Sequence, residues 1–250
     1  MIKNTRHTIA ILAYNNHKLT RKNLNHLIYL GYKNNILLFD NGSNPSYKNI
    51  SKELKIRYHR EEKNIFVNPA WNFIFEKEHC DYLTLLNNDC FILSENYFLE
   101  ILYHMKNNCI GISSCKTKNV SSLKKQLNTC NYFYFHNEKA DLQHVVNARR
   151  QGWLMTIDMN IYKTLNYLIP NYLKIWYGDD WIWGQFLLNN YKTTVYKNRY
   201  AIHLKSSSLS SKKIQCIIEE DNNNLNKFGN WHTEISPLLH KRTRLLSRYV

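Results

Sequence analysis

A chain of 250 residues, 44% hydrophobic and 21% charged, can bury a core without disulfide or metal staples, as one large domain or a domain with an appendage. Seven Gly and four Pro exclude a collagen-like or Pro/Gly-rich disordered protein, and no apolar run approaches the ~20 residues needed to span a bilayer. Lys and Arg outnumber Asp and Glu 34 to 19, a net charge of +15 that points to a phosphate-bearing partner: nucleotide, nucleic acid or anionic membrane.

The charge is uneven, with a net of +9 over residues 1–60 and −6 over residues 61–100. Six cysteines (Cys80, Cys90, Cys109, Cys115, Cys130 and Cys216) form no Cys-x-x-Cys pair, which fits reduced thiols better than a zinc site or disulfide framework. Residues 1–7 lead straight into a strand-length apolar run, so no signal peptide is expected. The expectation is a cytoplasmic protein, with a basic tail able to hold it at the inner membrane surface.

Residues 8–14 are apolar throughout and predict a strand buried on both faces. Residues 17–32 space Leu19, Leu24, Leu27 and Ile28 as a helix does, and Gly31 sits where a C-terminal cap belongs. A second strand, 35–40, runs into the turn Asp40-Asn41-Gly42-Ser43, and 56–59 is a short third strand. Pro69 suits the first turn of a helix reaching about His79, and strand 81–87 ends in Asn87-Asn88-Asp89. Strands and helices alternating with short connections predict a largely parallel sheet covered on both faces.

The second half predicts a helix at 95–107, a strand at 109–114, a basic polar stretch at 116–128 and an edge strand at 131–136. An apolar segment at 152–158 and a helix at 159–167 follow. Tyr177-Gly178-Asp179-Asp180 precedes a helix at 181–190, whose acids suit the positive end of its dipole. Short strands at 191–196 and 200–203, a Ser-rich turn at 205–211 and two tail helices complete the chain, the last basic and amphipathic over 238–248.

In open α/β sheets ligands bind at the carboxyl ends of the strands, where Tyr14-Asn15, Asp40-Asn41 and Asn87-Asn88-Asp89 all fall. Each alone is equally a cap or turn; the three together favour a site.

These segments, together with Asn64-Ile65-Phe66-Val67-Asn68-Pro69-Ala70-Trp71-Asn72, Tyr177-Gly178-Asp179-Asp180 and His203-Leu204-Lys205-Ser206-Ser207, resemble family 2 glycosyltransferases of the GT-A fold, in the family's order, over about residues 7–208. The resemblance implies an α/β GT-A domain over residues 1–210, with 211–250 as a basic helical extension. It implies inverting, non-processive transfer of one sugar from a nucleotide-diphosphate donor, UDP- or dTDP-sugar favoured, to a hydroxyl on a glycan, lipid-linked sugar or protein.

By the same resemblance Tyr14 packs on the base and Asp40 accepts from its imide, while Asn15, Arg60, Asn64 and Asn88 line the nucleotide. Asp89 and His203 hold Mn2+ or Mg2+, although Asn87 stands where the family's Asp-x-Asp motif has its first carboxylate. Asp180, with Asp179 beside it, is the base, and Trp176, Trp181 and Trp183 are acceptor-side candidates. The Gln-x-x-Arg-Trp motif of processive synthases is replaced by Gln185-Phe186-Leu187-Leu188-Asn189. Two alternatives stay open: the same transfer onto a modified base in viral DNA, and a non-catalytic basic nucleic-acid-binding protein.

Overall fold

The computed structural model describes residues 5–120, 142–143, 152–204 and 212–227. The expected edge strand at 131–136, the turn at 205–211, the basic residues at 121–125, 149–150 and 241–248, and the last tail helix lie outside them.

Strands β1 (His7–Ala13), β2 (Ile36–Asn41), β3 (Arg57–Glu61) and β4 (Tyr82–Asn87) alternate with helices α1 (His17–Tyr29), α2 (Lys48–Leu54) and α3 (Val67–Lys77). Then come β5 (Cys90–Ile92), α4 (Tyr97–Asn108), β6 (Ile110–Val120), β7 (Leu142–Gln143), β8 (Leu154–Asp158) and α5 (Met159–Tyr162). Helix α6 (Gly178–Leu188), β9 (Lys192–Leu204) and α7 (Lys212–Lys227) complete the order. One sheet runs β3-β2-β1-β4-β8-β6-β9-β5, with β7 paired to β9.

The β3-β2-β1-β4 block is parallel, as the alternation predicts, whereas β8 pairs antiparallel with both β4 and β6. Strand β9 pairs parallel to β6 and antiparallel to β5, so the second half is mixed. In the parallel block Ala13 pairs with Asp40, Leu12 with Asn87 and Asp40 with Arg60, which brings the carboxyl ends level.

Alternation along the strands divides the core. Ala10, Leu37, Phe39, Leu83 and Leu85 face Trp71, Ile74 and Phe75 of α3 and Ile182, Trp183 and Phe186 of α6. Ile9, Ile11, Leu38 and Leu86 face Leu24 and Leu27 of α1 and Phe98, Ile101 and Met105 of α4. The α1 end is as predicted: Gly31, at φ 87°, donates to the Ile28 carbonyl and Tyr32 to that of Leu27.

Elsewhere tertiary pairing moved the boundaries. The helix expected at 159–167 is the single turn α5, and the two strands expected at 191–196 and 200–203 are one ladder against β6, with a register shift where Lys116 pairs with Tyr200. Among the described residues no helix is long and apolar enough to cross a membrane.

The first residue of β1 carries a buried titratable group. His7 Nε2 lies 2.9 Å from Thr84 Oγ1, which lies 2.8 Å from Thr156 Oγ1. Burial lowers the imidazole pKa from 6.5 to about 3. The unfolded chain therefore binds this proton over a range where the folded chain does not. The resulting stability is complete above pH 6.5 and is lost as pH falls towards 3. His7→Gln, which keeps a hydrogen-bonding side chain without the titration, should flatten the fall in urea midpoint over that window. Equal slopes for the two proteins would refute the assignment.

Candidate active site

The carboxyl edge is built by buried polar side chains. Asp40, 0% exposed at the end of β2, accepts the Ser43 N–H at 2.9 Å through Oδ1. Its Oδ2 accepts the Tyr47 N–H at 3.0 Å, the Tyr58 hydroxyl at 2.8 Å and Arg60 Nη1 at 2.6 Å. Burial pushes this carboxyl up, but the hydrogen bonds from Ser43, Tyr47 and Tyr58 outweigh it and hold the group below its ordinary value. With four protein donors on a buried carboxylate, Asp40 anchors the loop after β2.

Asn15, Arg60 and Asn64 are drawn into the same scaffold. The Asn15 N–H donates to Ser43 Oγ at 2.9 Å and its Oδ1 accepts from the Asn44 N–H at 3.0 Å. Arg60 also reaches the Ser43 carbonyl at 3.1 Å. Asn64 Oδ1 accepts from Asn41 Nδ2 and from the Phe66 N–H at 3.1 and 2.8 Å. Tyr14 stands apart. Its ring is 50% exposed, and the chain leaves it through Asn15 and Asn16 at φ 52° and 54°, a left-handed pair that non-glycine residues rarely adopt.

The β4 turn is held from beneath by Asn23, a residue the sequence reading passed over. Buried on α1, its Nδ2 lies 3.3, 3.2 and 2.9 Å from the carbonyls of Asn87, Asn88 and Cys90. The one available signal was a polar residue on the apolar stripe of Thr20, Leu24 and Leu27. Asn88 donates to Thr20 Oγ1 at 2.9 Å and ties the turn to the same helix.

That turn presents Asp89 to His203, whose Nε2 is 3.4 Å from Asp89 Oδ1. This buried oxygen accepts no hydrogen bond among the described residues. His203 is paired opposite Cys90 across β5 and β9, and its ring stacks on Trp153 at 4.6 Å and 7°. Among the described residues no three His, Cys, Asp or Glu gather as a complete metal site. A carboxylate oxygen without a hydrogen-bond donor beside an imidazole nevertheless fits a divalent cation that would need its remaining ligands from elsewhere.

The acids lie in the first turn of α6. Tyr177 takes the cap position at φ 63°, and a Cβ on Gly178 would come within 2.0 Å of Asn68 Oδ1, so any larger residue there would displace the Asn68 side chain. Asp180 is buried and Asp179 half-buried. Asp179 Oδ2 lies 3.0 Å from where a Cβ on Gly152 would stand, and Trp153 follows Gly152. Residues 152–153 thus have Asp179 on one side and the His203 ring on the other.

The tryptophans separate. Trp176 is 41% exposed, and Trp181 is half-buried with Nε1 donating to the Asn166 carbonyl at 3.2 Å. Trp183, by contrast, is 3% exposed and packed with the α3-side core.

Residues 8–163 match the family described as Glycosyl transferase family 2. The chain belongs to that family. Among curated proteins no sequence matches it. Its structure resembles that of GalNAc-T7, solved with UDP, GalNAc and Mn2+, at a TM-score of 0.61 and 15% identity, over 87% of this chain and 48% of that one. It also resembles Staphylococcus aureus TarS 1–349 with UDP-GlcNAc (0.61, 12%, covering 95% and 71%) and with UDP (0.60, 13%, 91% and 71%). At these identities the likeness shows the fold, which is GT-A. The family 2 chain spans about half the length of GalNAc-T7.

The rim of this family 2 domain depends on Gly42. At φ 75°, a Cβ there would come within 2.4 Å of the Lys63 backbone carbon. Gly42→Ala should cost about 2–4 kcal/mol in chemical denaturation, from left-handed strain plus a clash with unyielding backbone. A loss under about 0.5 kcal/mol, the range of ordinary surface substitutions, would contradict this packing.

Proposed function

We propose that the protein transfers one sugar, with inversion, from a UDP- or dTDP-sugar to a hydroxyl of a glycan, lipid-linked sugar or protein. The observation that carries the reading is the convergence at one sheet edge of an exposed aromatic ring, a carboxylate–imidazole pair and an acid pair. Tyr14 offers a face on which a nucleobase can stack. The preference for UDP draws its support from family 2 membership and from the structural neighbours that hold UDP.

Asp89 and His203 are the residues that would hold Mn2+ or Mg2+. An ion held there would supply neutralisation of the charge developing on the leaving diphosphate. Asp180 receives the acceptor hydroxyl proton as the hydroxyl oxygen bonds to the anomeric carbon. The bond from that carbon to the diphosphate oxygen breaks on the opposite face, and the nucleotide diphosphate leaves. Asp179 lies next to the proton acceptor and beside Gly152. Trp176, exposed two residues before α6, provides a face for the acceptor.

The test is release of nucleotide diphosphate from a panel of UDP- and dTDP-sugars, with and without Mn2+. Asp180→Asn should lower turnover ~10²–10⁴-fold with donor affinity nearly unchanged, the usual worth of a positioned base. Asp89→Ala should abolish the response to Mn2+. If no nucleotide sugar is bound or turned over, the reading fails. If Asp179→Asn is inactive while Asp180→Asn remains active, the base is Asp179.

A further inference from the structure

Helix α7 carries three consecutive acids, Glu219, Glu220 and Asp221, in a tail of net positive charge. Asp221 is completely buried. Its Oδ1 accepts the Lys174 N–H at 2.8 Å, and its Oδ2 accepts the N–H groups of Ile175 and Trp176 at 2.8 and 2.9 Å. Three successive amides converging on one anion form the concave donor set that elsewhere binds phosphate. Here a side chain from a distant helix fills it. The bonds are charge-assisted and shielded from water, which makes them short and stiff.

The helix grips the same segment at other points. The Tyr177 hydroxyl donates to Asn222 Oδ1, Asn224 Nδ2 donates to the Tyr172 carbonyl at 3.1 Å, and Lys174 Nζ pairs with Glu220 at 2.8 Å. From the α3 side, Asn68 Nδ2 donates to the Trp176 carbonyl at 2.9 Å, and the Asn68 N–H donates to the Lys174 carbonyl at 3.0 Å. The gripped segment carries exposed Trp176 and ends at Gly178, the first residue of the helix that holds Asp179 and Asp180.

We infer that Asp221 is a positioning residue for transfer: it fixes the Lys174–Trp176 backbone and through it the acceptor-side tryptophan and the acid pair. This rests on the glycosyltransferase reading above. The donor rim is built chiefly by Asp40, Asn41 and Asn23 on the β1–β4 half, and it meets the gripped segment through the start of α3, where Asn64 binds Phe66 and Asn68 binds Lys174 and Trp176. Asp221 therefore acts on turnover far more than on donor binding, a split that a purely structural role would not produce.

The experiment compares full-length wild type with Asp221→Asn, which retains one carbonyl acceptor, and Asp221→Glu, which retains the charge but moves it by a methylene. Glu220→Gln, which removes only the outer ion pair, is the control. In hydrogen exchange, the amides of residues 174–176 should exchange roughly tenfold or more faster in Asp221→Asn, with protection in β1, β2 and β4 unchanged. UDP with Mn2+ should bind all four proteins within about twofold by calorimetry. Turnover of the nucleotide sugar accepted by wild type should fall roughly 10–100-fold in Asp221→Asn, the scale expected when a remote change displaces catalytic groups by about an ångström. Asp221→Glu should lie between, and Glu220→Gln should match wild type.

Unchanged exchange at 174–176, unchanged turnover in Asp221→Asn, or turnover and UDP affinity falling together would overturn the inference. Failure of wild type to bind UDP or turn over any nucleotide sugar would overturn the parent reading instead, and localised exchange at 174–176 would still report the clamp.

Discussion

Four donors converge on the Asp40 carboxylate, from the loop after β2, from α2's approach and from β3, and the carboxyl edge of the sheet takes its shape from them. A buried, unpaired carboxylate would cost several kcal/mol in desolvation. Each hydrogen bond to a charged group contributes about 1.5–3 kcal/mol, so the four donors together outweigh that cost. Residues 43–47 and the ends of β2 and β3 are held in one geometry, and Asn15, bound to Ser43 and Asn44, brings the exit of β1 into it.

The same device recurs at the other end of the site. Asp221 gathers three backbone amides as Asp40 gathers two amides, a hydroxyl and a guanidinium. One buried carboxylate organises the strand-end loops, and the other organises the approach to the acid-bearing helix. Between them Trp153 stacks on His203 while its carbonyl accepts the Asn87 N–H at 3.0 Å. The β4 turn, β9 and the entry to β8 are thereby coupled around Asp89.

Much of this was legible in the sequence. Apolar runs at β1, β2 and β4 with amphipathic helices between them specify a parallel block, and their polar termini mark its functional edge. Gly31 announced the end of α1. The pairing of Asp89 with His203, over a hundred residues apart, followed from the order of the family 2 motifs. What escaped depends on partners distant in sequence. A carboxylate at a strand end does not reveal its protein partners, and two of the donors to Asp40, Tyr58 and Arg60, come from the neighbouring strand. Helix α6 is apolar on nearly all sides, so periodicity could not show that Trp183 faces inward while Trp176, before the helix, stays exposed. Asp221 was hidden in a tail whose net charge is positive.

The central claim is that the ends of β1 and β4 and the β9 histidine form one nucleotide-diphosphate site. Anomalous diffraction at the manganese edge, from crystals grown with UDP and Mn2+, tests it most directly. The account predicts a single strong peak bonded to the Asp89 carboxylate and the His203 imidazole, with diphosphate density on the same ion and the uracil ring against Tyr14. A peak remote from Asp89, or UDP bound away from this edge, would contradict it.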